Sequence, residues 1–219
     1  MATPSRRTLL AAGATGTLAL TAGCLDFVLG KGPLEFDSSR VAPTETALTE
    51  TEYENQTVEE ETIEETIDVG VEREIRASLW RSHYSKEIEY QGRTHEGALF
   101  AAVSVPAMEV LGRSFNPLDD MSNEELLERL LSEVDGEQGN VENIRHDESF
   151  GLEILGEGRE VDRFVGQSEF DGEPIDVELT LTAVSHADDL LVLLGSYPRN
   201  FAEEAVNVEL LMESVEHPV

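Results

Sequence analysis

The single cysteine and the first two arginines of the chain occur in an order that has a defined chemistry. Arg6 and Arg7 precede a short stretch of small and apolar residues, and Cys24 follows the segment Leu20-Thr21-Ala22-Gly23. Paired arginines, a short apolar region and a small-residue cleavage site are typical of a twin-arginine export signal. A cysteine directly after such a site accepts a lipid on its sulfur. We therefore expect residues 1–23 to be removed and Cys24 to become a lipid-bearing N-terminus.

The alternative for this segment is the uncleaved N-terminus of a cytoplasmic protein. The apolar stretch from Thr8 to Leu20 is too short to span a membrane as a helix, because a spanning helix needs about 20 mainly apolar residues. Thr21 stands three positions before the cysteine, where lipid-attachment sites usually have leucine. The residues therefore support export more strongly than lipidation.

The charge of the chain restricts its partners and its solvent. It has 46 acidic and 15 basic residues, a formal net charge of −31 and only two lysines, Lys31 and Lys86. Like charges at this density repel one another at low salt, whereas in about 1 M salt the screening length falls to roughly 3 Å. Such a composition resembles the proteins of salt-loving archaea. No basic stripe is present for phosphate contacts, so nucleic acid is not an expected partner.

The chain divides by composition into three parts. Residues 1–23 form the expected signal peptide, residues 24–33 form a short tether with Gly and Pro, and residues 34–219 form one expected domain. Because an acylated Cys24 leaves no thiol for a disulfide, the domain must be stabilised by its core. About 185 residues are enough for one.

Hydrophobic periodicity predicts strands and three helices in the domain. Apolar residues alternate from 58 to 79, change phase near Ser82-His83, and run almost without interruption from 98 to 105, as in a strand covered on both faces. The segment from 150 to 194 indicates a meander with short turns. Thr44, the Ser122–Glu125 capping box and Asn200 mark three helix starts. The last helix has one apolar stripe: Phe201, Ala205, Val208, Leu211, Met212 and Val215.

These elements predict an α+β fold, a twisted antiparallel sheet with about three helices packed on its faces. The alternative is an all-β sandwich with helices added at its surface. The apolar stripes of the capped helices make this alternative less favoured, because such stripes must be buried.

One stretch of the chain resembles a known family. The residues Ser104-x-Pro106-x-x-x-Val110-x-Gly112-x-x-x-Asn116-Pro117-Leu118, after Trp80-x-x-x-Tyr84, resemble a family of haloarchaeal lipoproteins of unknown function. That resemblance implies export and lipid anchoring but brings no activity. The order of elements is also distantly similar to PsbP-like extrinsic photosystem domains, and a likeness of architecture does not imply a function.

The residues indicate no catalytic or metal site. Gly166-Gln167-Ser168-Glu169-Phe170 lacks the second glycine of a nucleophile elbow. The acidic run from Glu59 to Glu65 lacks the spacing of a calcium loop and indicates a solvated face. The five histidines are expected singly in turns or at strand ends: His83, His95, His146, His186 and His217. We therefore expect no enzyme activity, no cofactor and no metal, although two histidines could converge with carboxylates.

Other residues are candidates for modification or binding. Asn55-Gln56-Thr57 is a glycosylation sequon in an expected loop, so Asn55 is a possible glycosylation site. Arg113 and Arg199 could bind an anion, although pairing with internal acids is the favoured interpretation. The aromatic residues on the expected strands could line a groove but are more typical of a core. They are Tyr53, Trp80, Tyr84 and Tyr90.

Three hypotheses of function remain open at this stage. The first is a non-enzymatic binding or assembly module, lipid-anchored on the outer face of the cell membrane, with a membrane-protein partner. The second is a carrier for a lipid or another small apolar ligand, which requires a closed apolar cavity. The third is a hydrolase or metalloenzyme, which requires histidines and carboxylates that meet in a cleft.

The expected anchor can be tested at Cys24. Replacing it (Cys24→Ser) removes the sulfur that carries the lipid, so the protein should appear in the medium or accumulate as an uncleaved precursor. Cell fractionation followed by mass measurement of the N-terminus distinguishes these forms. A processed Cys24→Ser protein that stays in the membrane would mean that something other than this lipid holds it.

Overall fold

The computed structural model describes residues 32–68, 72–90, 92–110, 112–133, 141–170 and 173–219. Within these residues, 64% lie in strands and 17% in helices. The expected α+β arrangement of helices on a sheet is therefore wrong, because the fold is dominated by its sheet. In the described part of the chain, no helix is long and apolar enough to cross a bilayer.

The helices are α1 (Glu45–Thr51), α2 (Asn123–Glu133) and α3 (Ala202–Glu213). The strands are β1 (Leu34–Asp37), β2 (Ala42–Pro43), β3 (Glu54–Asp68), β4 (Glu72–Tyr90), β5 (Arg93–Pro106), β6 (Glu109–Val110), β7 (Arg113–Ser114), β8 (Glu142–Ile154), β9 (Glu157–Phe170), β10 (Glu173–His186), β11 (Asp189–Pro198) and β12 (Val215–Glu216).

Eight strands form one mixed sheet, in the order β1-β4-β5-β11-β10-β9-β8 with β3 paired to β4. Strands β8 to β11 follow one another as an antiparallel meander, which confirms that expectation for the second half of the chain. Two small pairs lie outside this sheet: β2 with β12, and β6 with β7.

The fold-class prediction is wrong because the strands are longer than the apolar pattern indicates. Six strands have 13 to 19 residues, and the helices have only 7, 11 and 12. Strand pairing uses backbone groups, so an exposed, mainly polar segment can be a strand without an apolar face. The first half of β8 is such a segment, since most of its side chains from Glu142 to Ser149 are exposed. In β3, which the alternation from 58 predicts, the side chains from Glu54 to Thr66 are exposed, as expected for the acidic run within it.

The chain forms two compact units. The smaller contains the described residues of 1–35 and 63–76, and the larger contains residues 36–62 with the described residues of 77–219. In the smaller unit, the Arg76 guanidinium binds Glu64 (Nε to Oε1, 2.9 Å) and lies 3.6 Å from Glu35. The expected organisation into a signal peptide, a tether and one domain stays a prediction, since residues 1–31 lie outside the described residues.

The larger unit has two apolar layers. Helices α1 and α3 pack with Phe100 and Ala102 of β5 in one layer, and α2 packs with Ala101 and Val103 in the other. The expected strand from 98 to 105 is therefore confirmed as buried on both faces. The expected turn or bulge at Ser82-His83 is wrong, because β4 runs straight through it. The apolar phase changes there because Leu79 belongs to the α2 layer and Tyr84 to the other.

Two of the three predicted helix starts are confirmed. The Thr44 hydroxyl accepts the amide of Ala47, and Ser122 and Glu125 form the reciprocal bonds of a capping box. The expected cap at Asn200 is wrong, since α3 begins after Phe201 and has no side-chain cap. Its apolar stripe is confirmed, with Val208, Leu211 and Met212 buried in the core.

A glycine allows α3 to approach the sheet closely. A Cβ at Gly195 of β11 would lie 2.3 Å from Cγ1 and 2.8 Å from Cγ2 of Val208. Non-bonded carbon atoms do not approach each other this closely, so any residue larger than glycine would push the helix away from the strand.

Gly195→Ala should therefore lower the free energy of unfolding by about 1–3 kcal/mol through overpacking. Urea unfolding in molar KCl measures this loss. Gly151→Ala on β8 is the matched control, because a Cβ there meets no atom closer than 3.8 Å. Adding Val208→Ala to Gly195→Ala should restore part of the lost stability. Equal stabilities of the two glycine variants would contradict this account.

Candidate functional site

The structure describes only some of the residues that the sequence predicts to form sites. Arg6, Arg7 and Cys24 lie outside the described residues, so export and lipid attachment stay predictions. Asn55 is exposed, but it lies near the start of β3 and not in a loop, which corrects that expectation. Its glycosylation stays a prediction.

Two of the five histidines lie in direct contact, contrary to the expectation that each lies alone. The Nδ1 atoms of His186 and His217 are 2.9 Å apart, and their rings meet edge to face. On the far side of His217, Nε2 lies 3.1 Å from Asp189 Oδ2 and 3.2 Å from the carbonyl oxygen of Ser39. We call His186, His217 and Asp189 the C-terminal histidine cluster.

Three chain segments position the C-terminal histidine cluster. His186 ends β10 and Asp189 begins β11, where they pair in register across a tight turn. Ala187 and Asp188 in this turn both have positive φ, as in a two-residue hairpin turn of type I′. His217 follows β12, whose pairing with β2 carries the end of the chain to the turn. The His217 side chain is fully buried and that of Asp189 nearly so.

The spacing of this cluster fits a hydrogen bond better than a metal ion. The ring centroids are 5.2 Å apart while the Nδ1 atoms are 2.9 Å apart, so the two nitrogens point almost directly at each other. A zinc ion would need about 2.0–2.1 Å from each nitrogen and could not lie on that line. Among the described residues, no group of three or more His, Cys, Asp or Glu side chains is arranged to hold a metal ion.

A second cluster combines serine, histidine and aspartate, and we call it the Ser149 cluster: His146, Ser149, Asp162 and Asn123. The Ser149 hydroxyl donates to Asp162 Oδ1 (2.5 Å), and His146 Nε2 lies 3.1 Å from Ser149 Oγ and 3.2 Å from the same carboxylate oxygen. The Asn123 amide donates to the other oxygen, Oδ2 (2.6 Å).

The Ser149 cluster lacks the geometry of a hydrolase triad. In a triad the histidine lies between the serine and the carboxylate, each on its own ring nitrogen, whereas here one nitrogen faces both. Burial by itself would raise the pKa of Asp162, but hydrogen bonds from Ser149, Asn123 and His146 outweigh it and lower that pKa. A carboxylate of lowered pKa is a weak general base. The cluster connects the start of α2 to β8 and β9.

The buried carboxylate of Glu204 on α3 pairs with Lys86, one of the two lysines of the chain. Glu204 is 1% exposed and receives a bond from Lys86 Nζ (2.8 Å) and one from the Tyr53 hydroxyl (3.1 Å). Burial and the Glu204 charge raise the pKa of Tyr53, so its hydroxyl remains a donor. Tyr53 and Tyr84 are core residues, which confirms the favoured interpretation for these two aromatic side chains.

The arginines proposed as anion ligands lie in different surroundings. Arg199 lies 3.2 Å from Glu178 and 4.0 Å from Asp147, so it pairs with internal acids as the favoured interpretation predicts. Arg163, which was not among those candidates, binds Glu148 and Glu209 and lies over the ring of Phe150. Arg113 is exposed in β7. Arg199 and Arg163 are therefore both paired with carboxylates of the same chain.

One groove of about 360 Å³ lies beside α2 and the start of β8. It is open to solvent, and half of its lining side chains are polar. A carrier of an apolar ligand needs an enclosed, mainly apolar cavity, so this groove does not favour the carrier hypothesis. Its lining residues are Glu128, Leu131, Ser132, Val141, Asn143 and Ile144.

Residues 40–216 of the chain match the family model of DUF6517, a domain of unknown function. The chain belongs to the DUF6517 family. A search of curated proteins finds no match. The matched segment of the DUF6517 domain begins two residues before β2 and ends with β12, and these two strands pair with each other. The family match supports the expectation of an unknown-function family, while the haloarchaeal source and the anchor stay predictions.

Sequence reasoning missed both clusters. His186 and His217 are 31 residues apart, and His146 is 16 residues from Asp162. No local spacing rule joins such pairs. The turn sequence His186-Ala187-Asp188-Asp189 is visible in the chain, but only the β2–β12 pairing brings His217 to it.

His83 generates a prediction about pH. Burial lowers the pKa of His83, Arg81 lowers it further, and Glu59 opposes both. An unfolded chain, with an ordinary histidine pKa of about 6.5, therefore takes up the proton first as the pH falls. The stability contributed by neutral His83 is complete above about pH 6.5 and is lost as the pH falls toward the folded-state pKa.

His83→Gln should therefore show a smaller drop in the free energy of unfolding between pH 7.5 and 5.5 than the unmodified protein. Urea unfolding in molar KCl at both pH values measures the two drops. His95→Gln on β5 serves as the control and should keep the full drop. The account fails if His83→Gln and the unmodified protein lose the same stability.

Proposed function

We propose that this DUF6517 protein is exported through its twin-arginine signal and held on the outer face of the cell membrane by a lipid on Cys24. There it acts as a non-enzymatic binding or assembly module for a membrane-associated protein. The acidic composition fits a domain that works in concentrated salt, where its like charges are screened.

The non-enzymatic part of the proposal rests on one observation: the side chains that could take part in catalysis are hydrogen-bonded to other groups of the fold. His217 and Asp189 bond to each other and to Ser39, and Ser149 and Asp162 bond within their own cluster. Each of these clusters joins separate segments of the fold. Such arrangements are typical of groups that stabilise a structure, and a catalytic group needs atoms free to reach a substrate.

The length of the tether supports a partner close to the membrane. The expected tether, residues 24–33, has ten residues from Cys24 to the position before Leu34, the first residue of β1. At no more than about 3.6 Å per residue, they reach roughly 35 Å. A domain anchored in this way meets proteins at the membrane surface far more often than free proteins in the medium.

Helix α3 offers apolar side chains to such a partner. Val206 is 66% exposed and Leu210, one turn further, is 36% exposed. They lie away from the stripe that packs on the sheet, which contains Val208 and Leu211. A few apolar residues at the centre of an interface can supply most of its binding energy.

The test is isolation of the tagged protein from native membranes in multimolar salt, followed by mass spectrometry of everything that travels with it. We expect a reproducible membrane-protein companion. Val206→Asp should reduce its recovery several-fold, while Val58→Asp, at an exposed valine of β3, should not.

Two other outcomes would contradict the proposal. A preparation with no membrane-protein companion would argue against an assembly role. A bound lipid or metabolite in the absence of any companion would favour the carrier hypothesis instead.

A further inference from the structure

The C-terminal residues are held by a small set of contacts with the segment that precedes α1. Strand β12 pairs with β2, the Val219 amide donates to the Arg40 carbonyl (3.1 Å), and the Thr44 amide donates to the Ser214 carbonyl (3.3 Å). Between these bonds, the buried ring of His217 reaches Asp189 and His186. The histidine contacts are therefore part of what keeps residues 215–219 on the fold.

One proton of His217 is fixed by its surroundings. Its Nε2 faces two acceptors, Asp189 Oδ2 and the Ser39 carbonyl. The same carboxylate oxygen also accepts the Ser39 amide at 2.8 Å, as an ionised carboxylate does. Nε2 must therefore carry a hydrogen whatever the state of the other ring nitrogen.

The contact between the two rings holds a single proton. With Nδ1 atoms 2.9 Å apart, one nitrogen must donate and the other must accept. Either His186 donates to a neutral His217, or a protonated His217, beside the Asp189 carboxylate, donates to His186. If both Nδ1 atoms are protonated, two N–H groups and two positive charges oppose each other, and the contact cannot persist.

The charged groups near this contact do not change the proton count. Asp189 bonds His217 directly, and one carboxylate balances one positive charge. The other charged side chains on the three segments are those of Asp188 in the turn, Glu216 in β12 and Arg40. The Arg40 guanidinium is turned to Ser82 Oγ (3.3 Å) and the Tyr84 hydroxyl (3.1 Å).

We propose that the C-terminal histidine cluster is a proton-operated clasp. It is closed while the two rings share one proton, and it opens when both Nδ1 atoms are protonated. Opening releases residues 214–219 from β2 and Thr44 and leaves the eight-stranded sheet intact. The device is independent of the proposed anchoring and partner.

The size of the effect follows from the proton count. The closed pair can take up one proton, which protonates one ring, whereas the open pair can take up two. With the first proton taken to bind equally well in both forms, the open form binds one more proton in acid, so acid favours opening by up to tenfold per pH unit below the pH at which exposed histidines titrate, about 6.5. Between pH 7.5 and 5.0, the population of the open form should therefore rise roughly thirtyfold.

Native-state hydrogen exchange on the full chain in molar KCl measures this population. The amides of Val219 and Thr44 report on the clasp, and the amide of Leu193 in β11 reports on the core. After correction for the intrinsic exchange rate, we expect protection of Val219 and Thr44 to fall roughly thirtyfold from pH 7.5 to 5.0. Protection of Leu193 should change much less.

His186→Gln separates the clasp from a general effect of acid. A glutamine amide can donate to a neutral His217 or accept from a protonated one, so this variant should keep the clasp closed at both pH values. His95→Gln should retain the full response. The proposal is overturned if Val219 and Thr44 are equally protected at both pH values, if His186→Gln responds as strongly as the unmodified protein, or if Leu193 loses protection to the same extent.

Discussion

Burial of both faces of the β5–β11 pair is the constraint on which the rest of the structure depends. These strands lie in the middle of the eight-stranded sheet, and their side chains alternate between two apolar layers. Each apolar layer must be shielded from water. Helices α1 and α3 shield one layer, and α2 shields the other. Gly195 shows how closely α3 fits, since Val208 of this helix occupies the space of a missing side chain.

Few cations are present in this chain, and the described contacts pair two of them with buried or partly buried carboxylates. Glu204, which is 1% exposed, pairs with Lys86, and the partly buried Glu178 pairs with Arg199. A buried carboxylate without a partner would cost several kcal/mol, so these pairs are strongly constrained. Most of the other acids can stay in solvent, as on β3, where charge also protects an exposed strand from pairing with other chains.

The ends of the segment that matches DUF6517 meet through β2 and β12, and this pairing places His217, one residue beyond that segment, beside the β10–β11 turn. The β10–β11 turn provides His186 and Asp189, while the end of the chain provides His217. A hydrogen bond between two imidazoles is sensitive to protons because it needs one donor and one acceptor.

The sequence by itself determined local features: the helix starts at Thr44 and Ser122, the doubly buried run from 98 to 105, the meander and the apolar stripe of α3. Each depends on residues a few positions apart. Tertiary structure alone decided the dominance of the sheet, because backbone pairing extended strands such as β8 over polar segments that the apolar pattern does not mark. It also decided which histidines meet, because His186 and His217 are brought together by strand pairing between distant segments, and no local pattern encodes such a contact.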